Sequence, residues 1–214
     1  MSEPTLRAAI LPVTGFQQNC TLLWCSETNE GVVFDPGGDV PMIEQAIKET
    51  GIDVKQIVLT HGHIDHAGGA DELREKLGVK VVGPHEDDRL LLDMLEQTGR
   101  GYGLFGARNL VPDQWLNEGD ELKVGKQVFE IRHCPGHSPG SLVYINHAHR
   151  FAMVGDVLFA GSVGRTDLPG GNHEALLNSI RTKLLPLADD YSFVCGHGPA
   201  STIGHERATN PFLR

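Results

Sequence analysis

Residues 60–66 read Thr60-His61-Gly62-His63-Ile64-Asp65-His66 and directly follow the apolar run Ile57-Val58-Leu59. A metal ion needs several lone pairs that converge on one point, and His61 with His63 on a loop supplies two imidazoles. Asp65 and His66 can face a second metal centre. A solvated, histidine-rich surface turn is the alternative, but this composition would produce such a pattern about once in a thousand sequences. The stretch therefore predicts a metal site behind a strand, with ligands for two centres.

Length and charge exclude several classes of protein. The chain has 214 residues, 40% hydrophobic and 21% charged, which suffices for one sizeable core. Its formal net charge of -10 repels nucleic-acid phosphates and anionic membrane surfaces. Residues Met1–Arg7 hold no sustained apolar segment of a secretory signal, and no run reaches membrane-spanning length. We therefore expect a single domain over 1–214, cytoplasmic and monomeric, with no nucleic-acid or membrane partner.

The spacing of the cysteines also favours a cytoplasmic protein. None forms a Cys-Xaa-Xaa-Cys pair that would suggest a zinc knuckle or a redox motif. We expect reduced, mostly buried thiols at four positions: Cys20, Cys25, Cys134 and Cys195.

Hydrophobic periodicity predicts strands that alternate with helices, which indicates an α/β fold. The predicted strands are 6–12, 19–24, 31–34, 56–59, 80–82, 127–131, 141–145, 151–154 and 192–195. The predicted helices are one that is capped by Asp39 and ends at Gly51, followed by 70–77, 86–97 and 175–185. The segment 98–115, with four glycines among aromatic residues, is predicted to be a long loop that covers a site or links two halves.

Three further metal-binding side chains follow predicted strands, and each comes directly after a glycine that allows a tight turn. They are His137 after Gly136, Asp156 after Gly155, and His197 after Gly196. Each residue alone is weak evidence for a metal site, because a single histidine or aspartate after a strand is more often a cap, a turn former or a surface group. Together with the 60–66 loop, however, four strand ends could meet at one edge, where open α/β folds place their sites.

The complete candidate set contains histidine and aspartate but no cysteine, which is typical of an open, catalytic metal site rather than a closed structural one. The seven candidate ligands are His61, His63, Asp65, His66, His137, Asp156 and His197. The remaining histidines are expected to have other roles. His147 and His149 are expected in an exposed hairpin turn, and His173 as a helix cap; His85, His133 and His205 lack partners at metal spacing.

At this point the motifs resemble those of the metallo-β-lactamase superfamily, in its glyoxalase II-like (hydroxyacylglutathione hydrolase) branch. The resemblance covers nearly the whole chain. Besides residues 61–66, it rests on Phe34-Asp35-Pro36-Gly37-Gly38, Cys134-Pro135-Gly136-His137-Ser138-Pro139-Gly140-Ser141, Gly155-Asp156, Gly164-Arg165-Thr166-Asp167-Leu168-Pro169-Gly170-Gly171 and Cys195-Gly196-His197-Gly198-Pro199. It implies an αββα sandwich, in which two β-sheets lie face to face with helices outside and a dinuclear site lies at one sheet edge.

The resemblance also implies a ligand assignment. One ion would take His61, His63 and His137, the other Asp65, His66 and His197, with Asp156 between them. Zinc is the expected metal, and iron and manganese accept the same ligands. Family members of this type hydrolyse S-D-lactoylglutathione to glutathione and D-lactate. Nine residues after the bridging aspartate they usually carry a basic residue that contacts glutathione, here Arg165. Long-form enzymes carry a tyrosine where this chain has Pro199, and a helical carboxy-terminal domain that is not expected here.

The expected reaction is attack of a metal-bridging hydroxide on a small-molecule thioester, with Asp65 orienting or deprotonating the attacking water. An iron-dependent persulfide dioxygenase on the same scaffold is the alternative, although a one-iron enzyme does not need Asp65, His66 and His197. A nuclease of the same superfamily is disfavoured by the net charge of -10, and a non-enzymatic metal-binding module by the open set of ligands.

Overall fold

The computed structural model describes residues 5–214, so the part of the amino-terminal prediction that concerns residues 1–4 lies outside the described residues. Two β-sheets pack face to face, and helices cover both outer surfaces. The predicted αββα sandwich is therefore confirmed. No helix of the described residues is long and apolar enough to span a membrane.

The first half of the chain builds one sheet of five strands, in the order β1-β2-β3-β4-β5, together with its covering helices. Its strands are β1 Leu6–Val13, β2 Gln18–Cys25, β3 Glu30–Phe34, β4 Asp53–Val58 and β5 Lys80–Val82. Its helices are α1 Val40–Thr50, α2 Ile64–Ala67, α3 Ala70–Leu77, α4 Arg89–Asp93 and α5 Leu95–Tyr102, with a 3₁₀ turn at Glu86–Asp88.

The second half builds a sheet of six strands and a small hairpin. Its strands are β6 Glu121–Val124, β7 Gln127–His133, β8 Leu142–Asn146, β9 Phe151–Gly155, β10 Leu158–Phe159, β11 Ser162–Val163, β12 Ser192–Cys195 and β13 Ser201–Thr202. Its helices are α6 His173–Ser179, continued by a π-helical turn at Ile180–Leu184, and α7 Ile203–Thr209. The sheet order is β13-β12-β9-β8-β7-β6, and β10 pairs with β11.

The space between the sheets is filled by apolar side chains from both of them. Phe34 and Tyr144 are fully buried there, and their rings meet edge to face with centroids 5.1 Å apart. The Tyr144 hydroxyl donates to the Leu59 carbonyl (2.8 Å), at the start of the 60–66 loop. Backbone hydrogen bonds from Leu142 N to Thr60 O (2.8 Å) and from Asn19 N to Gly196 O (2.7 Å) join the sheets at the same edge.

The prediction of one continuous helix over 86–97 is wrong. The chain forms the 3₁₀ turn and α4, bends at Met94 (φ -112°, ψ 7°), and then forms α5 to Tyr102. The start of the predicted 98–115 loop is therefore helical. Gly99 lies within α5, where a Cβ would be only 2.8 Å from the Leu104 carbonyl oxygen. The absence of a side chain therefore permits this close packing.

Of the two predicted helix caps, Asp39 is confirmed in its position and His173 is wrong. Asp39 is the N-cap residue of α1 and Gly51 ends that helix, but Asp39 adopts a left-handed backbone conformation, and its carboxylate accepts from Thr14 N (2.6 Å) rather than from its own helix. His173 is the first residue of α6, and Asn172 caps that helix by accepting from Ala175 N (3.0 Å). The predicted helix 175–185 is α6 and its π-helical turn.

We expect Tyr144→Phe to lower the free energy of unfolding by about 1–3 kcal/mol, because it leaves the buried Leu59 carbonyl without this donor. Urea unfolding measures the change. Tyr102→Phe is the control, since Tyr102 is 58% exposed and an exposed site usually changes stability by less than about 0.5 kcal/mol. Equal unfolding midpoints for the two variants would contradict a structural role for the Tyr144 hydroxyl.

Candidate metal centre

The structure brings all seven sequence-predicted ligands together at one edge of the two sheets. Three overlapping groups of side chains place their nitrogen and oxygen atoms within 4.8 Å of one another. The groups are His61 with His63 and His137, His61 with His66 and Asp156, and Asp65 with His66 and His197. The loops after β4, β7, β9 and β12 supply them, as the strand-end pattern predicted.

The first cluster contains three imidazoles, which face one another. His137 Nε2 lies 2.9 Å from His63 Nδ1 and 3.2 Å from His61 Nε2. His61 and His137 are buried, and His63 is partly buried.

The second cluster pairs two imidazoles with a carboxylate, and a second carboxylate lies between the clusters. Asp65 Oδ2 lies 3.1 Å from His197 Nε2 and 3.8 Å from His66 Nε2. Asp156 Oδ1 lies 3.3 Å from His66 Nε2, while its Oδ2 lies 3.5 Å from His137 Nε2 and 3.6 Å from His197 Nε2. Asp156 therefore reaches both clusters.

These separations fit metal coordination. Nitrogen and oxygen ligands at about 2.1 Å from a tetrahedral zinc ion lie about 3.4 Å from each other. Moreover, His66 Nε2 and Asp156 Oδ1 are buried and have no hydrogen-bond partner of good geometry among the described residues. Buried polar atoms are rarely left unpaired, and a cation bound between these atoms would satisfy them. The donor set therefore fits two divalent cations.

Hydrogen bonds to the far sides of the rings orient the histidines. His66 Nδ1 donates to Asp35 Oδ2 (3.0 Å), and His137 Nδ1 donates to the Arg165 carbonyl (2.8 Å). The Thr60 hydroxyl donates to Asp35 Oδ2 (2.7 Å), which leaves its oxygen to accept from His61 Nδ1 (3.0 Å). In each case the Nε2 lone pair is left facing the cluster, as in metal sites whose histidines are held by an outer partner.

The three glycines before the ligands act in two ways. Gly155 adopts φ +49° and Gly136 φ +139°, which residues with a side chain rarely adopt, as predicted. A Cβ on Gly136 would also overlap the backbone of Leu176. Gly196 is needed for space alone, because a Cβ there would overlap Asp156 Oδ1 and the His66 ring.

Histidine pKa values are shifted in opposite directions in the two clusters. Burial and the neighbouring histidines lower the pKa of His61 well below its usual range and that of His63 to about 3. Burial alone would lower the pKa of His66, but Asp156 and Asp65 outweigh burial and raise it well above its usual range. The pKa of His197 is likewise raised, since Asp65 and Asp156 outweigh burial. His61 and His63 are thus neutral at neutral pH, and the second cluster holds at least one proton.

Arg165 lies at the edge of the site with an exposed side chain. Its guanidinium forms a bidentate pair with Asp167, with Nε to Oδ1 at 2.8 Å and Nη2 to Oδ2 at 2.7 Å. The preceding Gly164 packs so closely that a Cβ would overlap the Asp156 carbonyl and lie 3.0 Å from His137 Cβ. The loop is therefore fixed against both clusters.

The expectation that His85 and His133 lack partners at metal spacing is wrong. Their rings stack with centroids 4.1 Å apart, 15° from parallel, and Asp87 lies beside them. However, imidazole lone pairs lie in the ring plane, so nearly parallel rings do not point at one ion, and His133 Nε2 already donates to Pro139 O (2.7 Å). Sequence spacing could not reveal this pair, because its members lie in different elements.

Sequence reasoning also missed two buried carboxylates, Asp35 and Asp88. Asp35 follows β3 in the way that the candidate ligands follow their strands, so the same strand-end signal could have found it. Asp88 lies in a segment predicted as an ordinary helix, and no local pattern marks it.

The prediction for His147 and His149 is correct in placing them in the turn between β8 and β9.

Comparison with known proteins now places the chain in a family. A family model described as the metallo-beta-lactamase superfamily matches residues 13–197. The chain belongs to this superfamily. Its α/β fold is thus that of the superfamily.

Among its superfamily relatives, hydroxyacylglutathione hydrolase GloC of Haemophilus influenzae is 47% identical over 205 residues, covering 95% of this chain and 96% of that protein. The crystal structure of BLEG-1 B3 metallo-beta-lactamase is 38% identical with a TM-score of 0.88, over 97% of this chain and 99% of that one. The crystal structure of TTHA1623 in a di-iron-bound form is 36% identical with a TM-score of 0.88, and the match covers 96% of this chain and 100% of that one. The superfamily membership, the similarity to GloC and the clustered ligands support the predicted metallohydrolase.

We predict that zinc binding to the second cluster strengthens as pH rises, more steeply than binding to the first. His66 carries a raised pKa and must lose its proton to bind metal, so affinity should rise about tenfold per pH unit for each proton displaced, until the pH exceeds that pKa. His61 and His63 have lowered pKa values and have no such proton to lose. Calorimetric titration of metal-free protein between about pH 6 and about pH 8 measures both affinities.

The control for this prediction is a pair of substitutions. His66→Ala should reduce the number of bound ions from about two to about one and abolish the steeper pH-dependent step. His205→Ala, at an exposed position in α7, should change neither. Two ions bound with the same pH dependence by the His66→Ala variant would exclude His66 as a ligand.

Proposed function

We propose that this chain is a dinuclear thioester hydrolase whose substrate is a glutathione thioester, with S-D-lactoylglutathione cleaved to glutathione and D-lactate. The observation that carries the proposal is the pair of three-residue clusters that share Asp156. The similarity to GloC, whose name is that of a hydroxyacylglutathione hydrolase, supports the choice of substrate.

The ligand assignment follows the two clusters. His61, His63 and His137 would hold one ion, and Asp65, His66 and His197 the other, with Asp156 between them. Zinc is the proposed metal because it accepts such mixed nitrogen and oxygen sets. Iron and manganese accept the same ligands, and the di-iron form of TTHA1623 supports iron as the first alternative.

When bound, the two ions supply a water of lowered pKa as nucleophile and polarise the thioester carbonyl. The protein contributes orientation and an anionic acceptor. Burial would raise the pKa of Asp65, but His66 and His197 outweigh it and lower the pKa, so the carboxylate is ionised at neutral pH. Asp65 is therefore proposed to orient the attacking water by accepting a hydrogen bond.

The thiol close to the site does not fit covalent catalysis. Cys195 Sγ donates to the carbonyls of His197 (3.0 Å) and Pro199 (3.4 Å), and burial together with Asp156 raises its pKa to about 11. A nucleophilic cysteine needs a lowered pKa. Thioester cleavage also needs no strong general acid, because a thiolate leaving group has a pKa of about 8.5. Both points favour direct attack by water.

Arg165 is proposed to bind the anionic end of the substrate. Its loop packs against Asp156 and His137, and a guanidinium binds carboxylates in bidentate fashion. Asp167 already occupies the guanidinium, so a substrate carboxylate has to compete with this residue.

The first test separates hydrolysis from oxygenation. Zinc-loaded protein should cleave S-D-lactoylglutathione in the absence of oxygen and of any redox-active metal, because hydrolysis needs neither. His66→Ala and His197→Ala should each lower kcat about 100-fold or more, whereas His205→Ala should not. Iron-dependent oxygen uptake with glutathione persulfide, together with negligible thioester turnover, would falsify the hydrolase and favour a persulfide dioxygenase.

The second test concerns Arg165. Arg165→Ala should raise KM for the glutathione thioester by about tenfold, the scale expected for one charged contact, and leave a small neutral thioester unaffected. Asp167→Asn should act in the opposite direction, since it frees the guanidinium. Arg181→Ala, at an exposed position away from the 164–167 loop, is the control. Equal effects of Arg165→Ala on both substrates would contradict the role.

A further inference from the structure

Asp88 is a buried carboxylate that lies between the two loops of the first cluster. It ends the 3₁₀ turn Glu86–Asp88 and has no exposed surface. On one side it meets Gly62, between His61 and His63; on the other it meets the loop that carries His137.

Three donors converge on this carboxylate. Gly62 N donates to Asp88 Oδ2 (2.8 Å), so the 60–66 loop is attached at its centre. Ser138 Oγ donates to Oδ2 (2.8 Å) and Gly140 N to Oδ1 (2.5 Å), so the His137 loop is attached at two points. Asp88 thereby joins ligand loops that lie far apart in sequence.

The backbone is shaped to admit this carboxylate. A Cβ on Gly140 would lie 2.7 Å from Asp88 Cγ, and a Cβ on Gly62 would lie 3.2 Å from Asp88 Cβ. Real side chains avoid the first distance and seldom accept the second, so glycine on both loops permits the approach. His85 N also donates to Gly140 O (3.2 Å), which holds the turn against the same loop.

The position is unfavourable for a carboxylate on stability grounds alone. Burial raises the pKa of Asp88, and the hydrogen bonds from Ser138, Gly62 and Gly140 only partly oppose this shift. The ionised form is thus destabilised in the folded protein relative to water. A carboxylate in such a place is accounted for better by what it positions than by its own contribution to folding.

We propose that Asp88 is a positioning residue that sets the spacing of His61 and His63 relative to His137, and thereby the affinity of the first metal site. Ionised, it offers acceptors to all three donors. An asparagine has one acceptor oxygen and would turn its NH₂ towards one of the N–H groups, so Gly62 N or Gly140 N would lose its acceptor. The inference rests on the ligand assignment under the proposed function.

The experiment isolates the first site. In a His197→Ala background the second cluster is incomplete, so calorimetric titration of the metal-free protein with zinc measures the first site alone. Adding Asp88→Asn should weaken zinc binding about 10–100-fold, as expected when a partner behind the ligands is removed. Adding Asp71→Asn is the control: Asp71 on α3 is also buried, but it pairs with Arg74 of the same helix and with Arg108 of the segment after α5, away from the ligand loops.

Each outcome decides one point. Unchanged zinc affinity in the Asp88→Asn protein, or an equal loss in the Asp71→Asn protein, overturns the positioning role. If Asp88→Asn does not fold, as judged by circular dichroism, Ser138→Ala removes one donor and should weaken binding up to about tenfold; no change would overturn the role equally. Failure of the wild-type protein itself to bind zinc, iron or manganese would instead refute the proposed ligand set.

Discussion

Seven histidine and aspartate side chains are held with their lone pairs facing one another, and much of the edge where the two sheets meet serves this arrangement. Buried imidazole nitrogens lie 2.9 Å and 3.2 Å apart beside a carboxylate oxygen of Asp156 without a good hydrogen-bond partner, and a cation between these groups would satisfy them together. A buried group of this kind persists only where the surrounding structure holds it. The fold provides that constraint in three ways.

The first is the position of the strand ends. The ligand loops follow β4 in one sheet and β7, β9 and β12 in the other, so neither sheet could supply the complete set. Backbone hydrogen bonds between the sheets at this edge, and the Tyr144 hydroxyl on Leu59 O, fix one set of loops relative to the other. Packing between the sheets is thus directly coupled to the separation of the ligands.

The second constraint is the set of hydrogen bonds on the far sides of the histidine rings and behind the ligand loops. The third is the close approach of other groups to the backbone at glycine. Asp35 and Thr60 direct the rings of His66 and His61, the Arg165 carbonyl directs His137, and Asp88 joins two loops. Gly196 and Gly136 leave no room for a side chain beside the cluster. Asp35, Thr60 and the Arg165 carbonyl bond to the ring sides that face away from the clusters, and the carboxylate of Asp88 bonds only to the loops that carry the ligands.

Much of the fold could be predicted from sequence, but the errors have a common cause. Strand-end motifs and short apolar runs were informative because they depend on neighbouring residues. The single helix 86–97 and the loop 98–115 were mispredicted because the chain bends at Met94 and the next helix continues through Gly99, where a Cβ would lie 2.8 Å from the Leu104 carbonyl oxygen. Asp39 occupies the predicted cap position of α1, but a tertiary contact with Thr14 takes its carboxylate, and Asn172 rather than His173 caps α6.

The sequence by itself determined the fold class, the superfamily and the chemical identity of the candidate ligands, because these are written in motifs of a few consecutive residues. Only the tertiary structure decided the distances at which Asp156 reaches both clusters, that Asp167 pairs with Arg165, and that Asp88 joins two ligand loops. Most of these relations connect residues tens of positions apart. Their distances depend on how the two sheets pack, a property that no local pattern encodes.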